Sequence, residues 1–195
     1  VLVASKPTIK TVLEDCKVLH LADFDHIQNS INRNIKNLEF ALYKSGGKDP
    51  RYIYNLAKAY CDKRTIEFSD KAFPLIQKFL WGKNQSEWPE ERAQALEYLA
   101  DIYRQRGQFN NAIKSCSLAL MEEPDRCSVY LNIALAYTDK KDWDKALFWV
   151  HLSDKFSDKE TSLNVNPRDL QVMKLDTIYT ASMNKCKTYD AYNDA

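Results

Sequence analysis

Apolar residues recur along this chain at helical spacing, and between residues 92 and 158 the same arrangement occurs twice. The segment 99–103, with sequence LADIY, aligns with the segment 133–137, with sequence IALAY, at an offset of 34 residues. The same offset relates Ala112 to Ala146. Small residues at these positions let two helices cross closely, so each unit is predicted to form a helical hairpin. One hairpin cannot bury its apolar face alone, and the hairpins are therefore expected to stack.

The length of this unit and its small-residue positions are those of the tetratricopeptide repeat. A third, longer unit of the same kind is predicted upstream. Asp49 and Pro50 provide an N-cap and a first helical turn before the segment 54–60, with sequence YNLAKAY. The second helix of this unit is predicted from about Ser69 to Leu80.

Further helices are predicted on both sides of the hairpins. One runs from Asp25 to Tyr43 and is ended by glycines, which readily adopt the left-handed conformation. The other runs from Pro167 to about Tyr189 and is expected to cover the last hairpin with an apolar stripe. That stripe consists of Val172, Leu175, Ile178, Tyr179 and Met183.

The predicted fold class is therefore all-α, a tetratricopeptide-like solenoid of helical hairpins with flanking helices and a short extended segment at residues 17–21. Residues 1–24 are interpreted as a linker or the remnant of a preceding domain, and residues 25–48 as a connecting helix. Residues 49–160 form the hairpins, and residues 161–195 a loop and a C-terminal capping helix.

Composition excludes several classes of function. The 28 basic and 27 acidic residues nearly cancel, so a nucleic-acid partner is not expected. Apolar runs are too short for a membrane span. The five cysteines form no CxxC pair, and Cys61, Cys116 and Cys186 lie in helical patterns. They are predicted to be reduced, buried thiols, which favours a cytoplasmic protein. No nucleotide-binding, zinc-protease or serine-hydrolase motif occurs, and no cofactor is expected in this chain.

The concave surface of the predicted solenoid is the candidate site for a protein or peptide partner. Its expected residues are Asn55, Lys58, Gln94, Glu97, Asp101, Arg104, Leu131 and Leu135. Glu97 and Asp101 would repel a carboxylate in the middle of this surface, which argues against a clamp for a terminal carboxylate. A second candidate is a divalent metal at His20, close to His26, Asp23 and Asp25. The alternative interpretation is a polar loop that caps the following helix.

Six segments also resemble the C-terminal tetratricopeptide region of bacterial and phage family-2 glycosyltransferases. They are Arg33-Asn34 to Leu38-Glu39, Asp49-Pro50-Arg51, Tyr54 to Ala57, Trp88 to Arg92, Leu99 to Tyr103 and Ala146 to Trp149. The order and spacing of these segments, over about residues 20–155, carry the resemblance.

The resemblance implies that an N-terminal GT-A domain, with Mn²⁺ or Mg²⁺ and a nucleotide sugar, precedes Val1. It also implies that His20 occupies the place of a histidine that joins the metal and the donor diphosphate, although Leu21 and Ala22 replace the glycine that usually follows. This chain would then bind the acceptor, a protein or a glycan, or form a homodimer. The alternative is a stand-alone adaptor that binds a peptide or helix in its groove.

Overall fold

The structure, a computed structural model, describes residues 24–83, 88–156 and 167–193. Within these ranges it contains eight α-helices and no β-strand, which confirms the all-α prediction. The helices are α1 Phe24–Lys44, α2 Pro50–Cys61, α3 Ile66–Trp81, α4 Pro89–Gln105, α5 Phe109–Glu122, α6 Cys127–Asp139, α7 Trp143–Ser153 and α8 Pro167–Asn193. The predicted extended segment at residues 17–21 and loop at residues 161–166 lie outside the described residues.

Three antiparallel hairpins, α2–α3, α4–α5 and α6–α7, form the centre of the array. The first helix of each hairpin packs on the second helix of the one before, and it also contacts the preceding first helix. The second helices α3, α5 and α7 make at most marginal contact with one another. The array therefore curves with α2, α4 and α6 on the inside. We call the face of these three helices that points away from the second helices the inner surface.

The hairpins begin and turn as the local sequence dictates. Asp49 is the N-cap of α2, and its Oδ1 accepts a hydrogen bond of 2.9 Å from the backbone N–H of Arg51. Equivalent residues occupy the left-handed conformation in the turns of the three hairpins, Arg64 with φ 52°, Gly107 with φ 70° and Lys141 with φ 62°. Only the middle hairpin has the glycine that this conformation favours.

Small residues lie at the helix crossings where the repeat predicts them. Ala112 and Ala146 are fully buried where the second helix of a hairpin meets the first. Aromatic rings fill the gaps between successive hairpins. Tyr103 on α4 meets Phe73 on α3 edge to face, with ring centroids 5.8 Å apart. One continuous apolar core therefore extends from α1 to α6.

The C-terminal helix α8 packs on α6 and α7, but with a different face from the predicted one. Its inward side chains include Leu170, Met173 and Ile178, which pack against a second small core. The prediction was wrong for the other four stripe residues, which are exposed. We define the outer stripe of α8 as Val172, Leu175, Tyr179, Met183 and Cys186, all exposed. Because α8 has apolar residues on both sides, the sequence pattern alone could not show which side is buried.

Candidate interaction surface

The inner surface brings together most of the residues predicted for partner binding. Asn55 and Lys58 lie on α2 and are half-buried, as are Gln94 and Arg104 on α4. The inner surface also includes Asp101, which is exposed on α4, and Leu135, which is half-buried on α6. Two predicted residues, Glu97 and Leu131, do not belong to the accessible surface.

Leu131 is buried because α8 continues the layer of first helices. Helix α8 packs beside α6, and Leu131 joins a core cluster with Ala134 and Val150 that Met173 and Ile178 of α8 cover. A partner on the inner surface therefore cannot reach its side chain. The repeat pattern could not show this, since it does not reveal how closely the C-terminal helix approaches α6.

Glu97 is buried because it pairs with an arginine from the next hairpin. Nε of Arg126 lies 2.6 Å from Oε2 of Glu97, and the Arg126 side chain is 1% exposed. Asn132 donates a 3.1 Å hydrogen bond to Oε1 of Glu97, and Nη1 of Arg126 lies 2.9 Å from Oε2 of Glu123. The charge of Glu97 therefore joins two hairpins instead of facing a ligand.

Sequence analysis did not single out Arg126, although its place directly before α6 is visible in the sequence. Its partner Glu97 lies on a different helix, and nothing in the local pattern links the two. Burial raises the pKa of Glu97, while the Arg126 guanidinium opposes that rise. The expected repulsion of a carboxylate ligand therefore does not come from Glu97.

Three other carboxylates remain at the C-terminal ends of the inner helices. Asp62 follows α2, Asp101 lies in the last turns of α4, and Asp139 ends α6. Nε of Arg104 lies 2.8 Å from Oδ2 of Asp139 and its Nη1 lies 3.5 Å from Oδ1 of Asp101. Because Arg104 is held by these carboxylates, its guanidinium is not a ready anchor for an anionic group.

The same network extends to the preceding hairpin. Gln105 donates a 3.0 Å hydrogen bond to Oδ2 of Asp101 and accepts one of 2.9 Å from the hydroxyl of Ser69 on α3. The side chains from Ser69 to Asp139 therefore connect helices of all three hairpins. They fix the relative positions of the inner helices and the spacing of the exposed carboxylates.

The side of the inner surface formed by α2 and α4 is also organised by polar contacts. The hydroxyl of Tyr54 donates to Oε1 of Gln94, which links α2 with α4. Partial burial raises the pKa of Asp62, and nearby Lys58 and Arg64 partly oppose this rise. Lys58 and Arg64 are thus cations near this carboxylate, and the excess of negative charge lies at Asp101 and Asp139, which share Arg104.

The described residues offer no metal site. No group of three or more His, Cys, Asp or Glu side chains in residues 24–83, 88–156 and 167–193 is arranged to hold a metal ion. His20 lies outside these ranges, so its proposed role as a metal ligand stays a prediction. Among the helices that the structure describes, none is long and apolar enough to cross a membrane.

The four cysteines in the described residues form no disulfide with one another, but not all are buried. Cys116 and Cys127 are buried and Cys61 is half-buried, whereas Cys186 is exposed, contrary to the prediction. Burial raises the pKa of Cys61 to about 12 and that of Cys116 further still. The exposure of Cys186 follows from its place in the outer stripe of α8.

Comparison with known proteins supports the fold. No family model matches the chain, and no curated protein matches it. Two crystal structures of the tetratricopeptide-repeat protein MamA are similar, each with 16% sequence identity and a TM-score of 0.54. One match covers 88% of this chain and 99% of MamA, and the other covers 85% and 88%. The chain therefore has a tetratricopeptide-like helical-repeat fold.

Proposed function

We propose that this chain is an interaction scaffold whose inner surface binds a segment of a partner protein. The observation that carries the proposal is the inner layer itself, in which consecutive first helices present one accessible face. A solenoid of this kind offers an extended concave surface for binding.

The charges of the inner surface indicate the chemistry of the partner. Asp101 and Asp139 share one cation, Arg104, so negative charge is in excess between α4 and α6. Beside α2, the cations Lys58 and Arg64 both lie near Asp62. Opposite charges across an interface favour the correct partner, and like charges disfavour others. The preferred segment therefore carries lysine or arginine near an apolar side chain, which would contact Leu135.

A peptide array tests this proposal directly. The purified chain is applied to an array of random peptides of about 12 residues, and the affinity of the best peptide is measured by fluorescence anisotropy. We expect enrichment of basic peptides. Replacing Asp101 by Asn should weaken binding about three- to fivefold, since a partly exposed charge pair contributes up to about 1 kcal/mol.

Glu67 provides the matched control. It is an exposed carboxylate on the second-layer helix α3, paired with Lys71 four residues later. Glu67→Gln should leave the affinity unchanged. Equal effects of Asp101→Asn and Glu67→Gln, or enrichment of acidic peptides, would contradict the proposal.

The resemblance in the sequence supports a finer proposal, that the chain is the C-terminal accessory part of a glycosyltransferase. The inner surface would then hold the acceptor, a protein or a glycan, for a catalytic domain that precedes Val1. Reading the coding sequence upstream tests this proposal. An Asp-x-Asp motif within alternating strands and helices would support it, and a stop codon directly upstream would contradict it. The chain alone, with Mn²⁺, should hydrolyse a nucleotide sugar no faster than buffer.

The location of the protein also stays a proposal. The four described cysteines, none of which forms a disulfide, are consistent with a cytoplasmic protein, because stable disulfides belong mainly to oxidising compartments. Fractionation of cells that express the full-length protein would test this.

A further inference from the structure

The outer stripe of α8 is the largest run of exposed apolar side chains on one helix of the described structure. Val172, Leu175, Tyr179 and Met183 are between 43% and 67% exposed. The opposite side of α8 is already buried against α6 and α7. A helix with apolar residues on both sides is normally buried on both, whereas the last helix of a solenoid usually has a polar outer side.

The spacing of the outer stripe points to its partner. Its five residues are separated by 3, 4, 4 and 3 positions, so the sequence of spacings is the same in both directions. A second α8 that runs antiparallel, with the twofold axis at Tyr179, therefore presents an apolar residue at every level. Val172 lies level with Cys186, Leu175 with Met183, and Tyr179 with its own copy.

We propose that the outer stripe of α8 is a dimer interface at which two copies of this chain pair their α8 helices antiparallel. Closed twofold dimers are the commonest assemblies of identical chains, and they require a self-complementary surface. The palindromic spacing supplies this property. The interface is separate from the inner surface, so a test of dimerisation does not depend on the proposed function.

The charges beside the stripe are compatible with this arrangement. With the axis at Tyr179, Asp176 lies level with Ser182 of the second copy, and Lys187 lies level with Gln171. Like charges therefore do not face each other at these positions. Two further lysines of α8 are engaged within their own chain, Lys174 with Asp154 and Lys185 with Asp144.

The exposed area of the outer stripe indicates how large the dimer interface would be and how tightly two copies would associate. The stripe exposes on the order of 400 Å² of side-chain surface per copy, within the range of patches that are often functional. Two stripes bury about 800 Å², and the polar flanks bring the total near the lower end of stable interfaces. We therefore expect a dissociation constant in the micromolar range.

Sedimentation equilibrium of the intact chain at about 100 µM tests the association. We expect a mass of twice 22.7 kDa. Tyr179→Glu places a carboxylate on the twofold axis and should yield the monomer. Tyr43 on α1 is a matched control, because it is also an exposed tyrosine, at 82%, on the opposite end of the array. Tyr43→Glu should remain dimeric.

Disulfide cross-linking tests the orientation. In a background with Cys16→Ser and Cys186→Ser, Tyr179→Cys should form a disulfide between copies on mild oxidation, since both thiols lie at the axis. In a second chain with Cys16→Ser alone, the native Cys186 should not cross-link to its copy. An antiparallel pair places these thiols 14 residues, or about 21 Å, apart along the helices.

Three results would overturn the inference. A monomer at about 100 µM would show that the stripe does not self-associate. A dimer that survives Tyr179→Glu would use another surface. A Cys186 disulfide between copies would show that the helices run parallel, because only a parallel pair places Cys186 level with its own copy.

Discussion

Loss of the buried pair between Arg126 and Glu97 should destabilise the array strongly. Arg126→Met keeps an unbranched side chain but removes the guanidinium that lies 2.6 Å from Glu97. The Glu97 carboxylate, with a side chain 10% exposed, then lacks its counter-ion. Breaking a buried pair in this way costs about 3–5 kcal/mol. Because Asn132 still donates to Glu97, we expect a loss near 3 kcal/mol in the free energy of unfolding.

The loss should depend on pH in a direction that the structure fixes. Burial raises the pKa of Glu97 above its usual value of 4.5, and Arg126 limits the rise. Without Arg126 the folded-state pKa rises further, so the folded variant retains a proton that the unfolded chain releases above about pH 4.5. The variant therefore loses stability as the pH rises. Its deficit relative to the wild type should be larger at pH 7 than at pH 4.5.

Urea unfolding followed by far-UV circular dichroism measures both effects, provided that the transition is two-state. The double variant Glu97→Gln/Arg126→Met is the control, since a neutral amide replaces the carboxylate and can still accept from Asn132. It should be more stable than Arg126→Met alone by about 1–2 kcal/mol at pH 7. A loss below about 1 kcal/mol for Arg126→Met, or no gain in the double variant, would refute the reasoning.

Three further predictions concern turns, packing and thiols. Lys141→Gly should raise the free energy of unfolding by about 0.5–1 kcal/mol in urea titrations, and Gly107→Ala should lower it by about 1 kcal/mol, because both positions are left-handed. Ala112→Leu should cost about 1–3 kcal/mol by the same assay, since the site is fully buried at a helix crossing. Iodoacetamide should modify Cys186 much faster than the buried Cys116, as read by peptide mass spectrometry.

Each of these predictions has an internal control. Lys140, next to Lys141, has an ordinary φ of −76°, so Lys140→Gly should destabilise the protein instead. Lys114→Leu adds an apolar side chain at an exposed position of α5 and should be nearly neutral. Urea should abolish the difference between the thiols. The turn argument would be contradicted if Lys140→Gly and Lys141→Gly changed the free energy of unfolding equally. The packing argument would be contradicted if Ala112→Leu left that free energy unchanged, and the thiol argument if iodoacetamide modified Cys186 and Cys116 of the native protein at equal rates.

The repeat made most of the fold predictable from the sequence. A hairpin needs small residues at its crossings and aromatic residues between neighbours, and Ala112, Ala146 and Tyr103 carry this information locally. The N-cap at Asp49 is likewise a local signal. Helix bounds were predicted less well, as α3 begins at Ile66 and not near Ser69, because Thr65 caps it.

The sequence did not predict that two of the expected surface residues, Glu97 and Leu131, are buried, because their burial depends on contacts distant in sequence. Glu97 is 29 residues from Arg126. The repeat pattern does not indicate which charged residues pair across hairpins, so the burial of Glu97 could not be predicted from it. Leu131 is covered by α8, whose two apolar sides made the inward face ambiguous. The predicted residues that are accessible on the inner surface, such as Asp101, are those whose exposure follows from the repeat alone. Their role in partner binding stays a prediction.

The most direct test of the central claim is the affinity of the chain for the best basic peptide from the array, measured with the inner surface altered. Leu135→Ala removes an apolar contact on α6 and should weaken binding about five- to tenfold, corresponding to about 1 kcal/mol or somewhat more. Asp101→Asn should weaken it about three- to fivefold, and Glu67→Gln should not change it. Micromolar binding with this pattern is the predicted result. The absence of any peptide bound at micromolar concentration, or affinity unchanged by both inner-surface variants, would contradict the account.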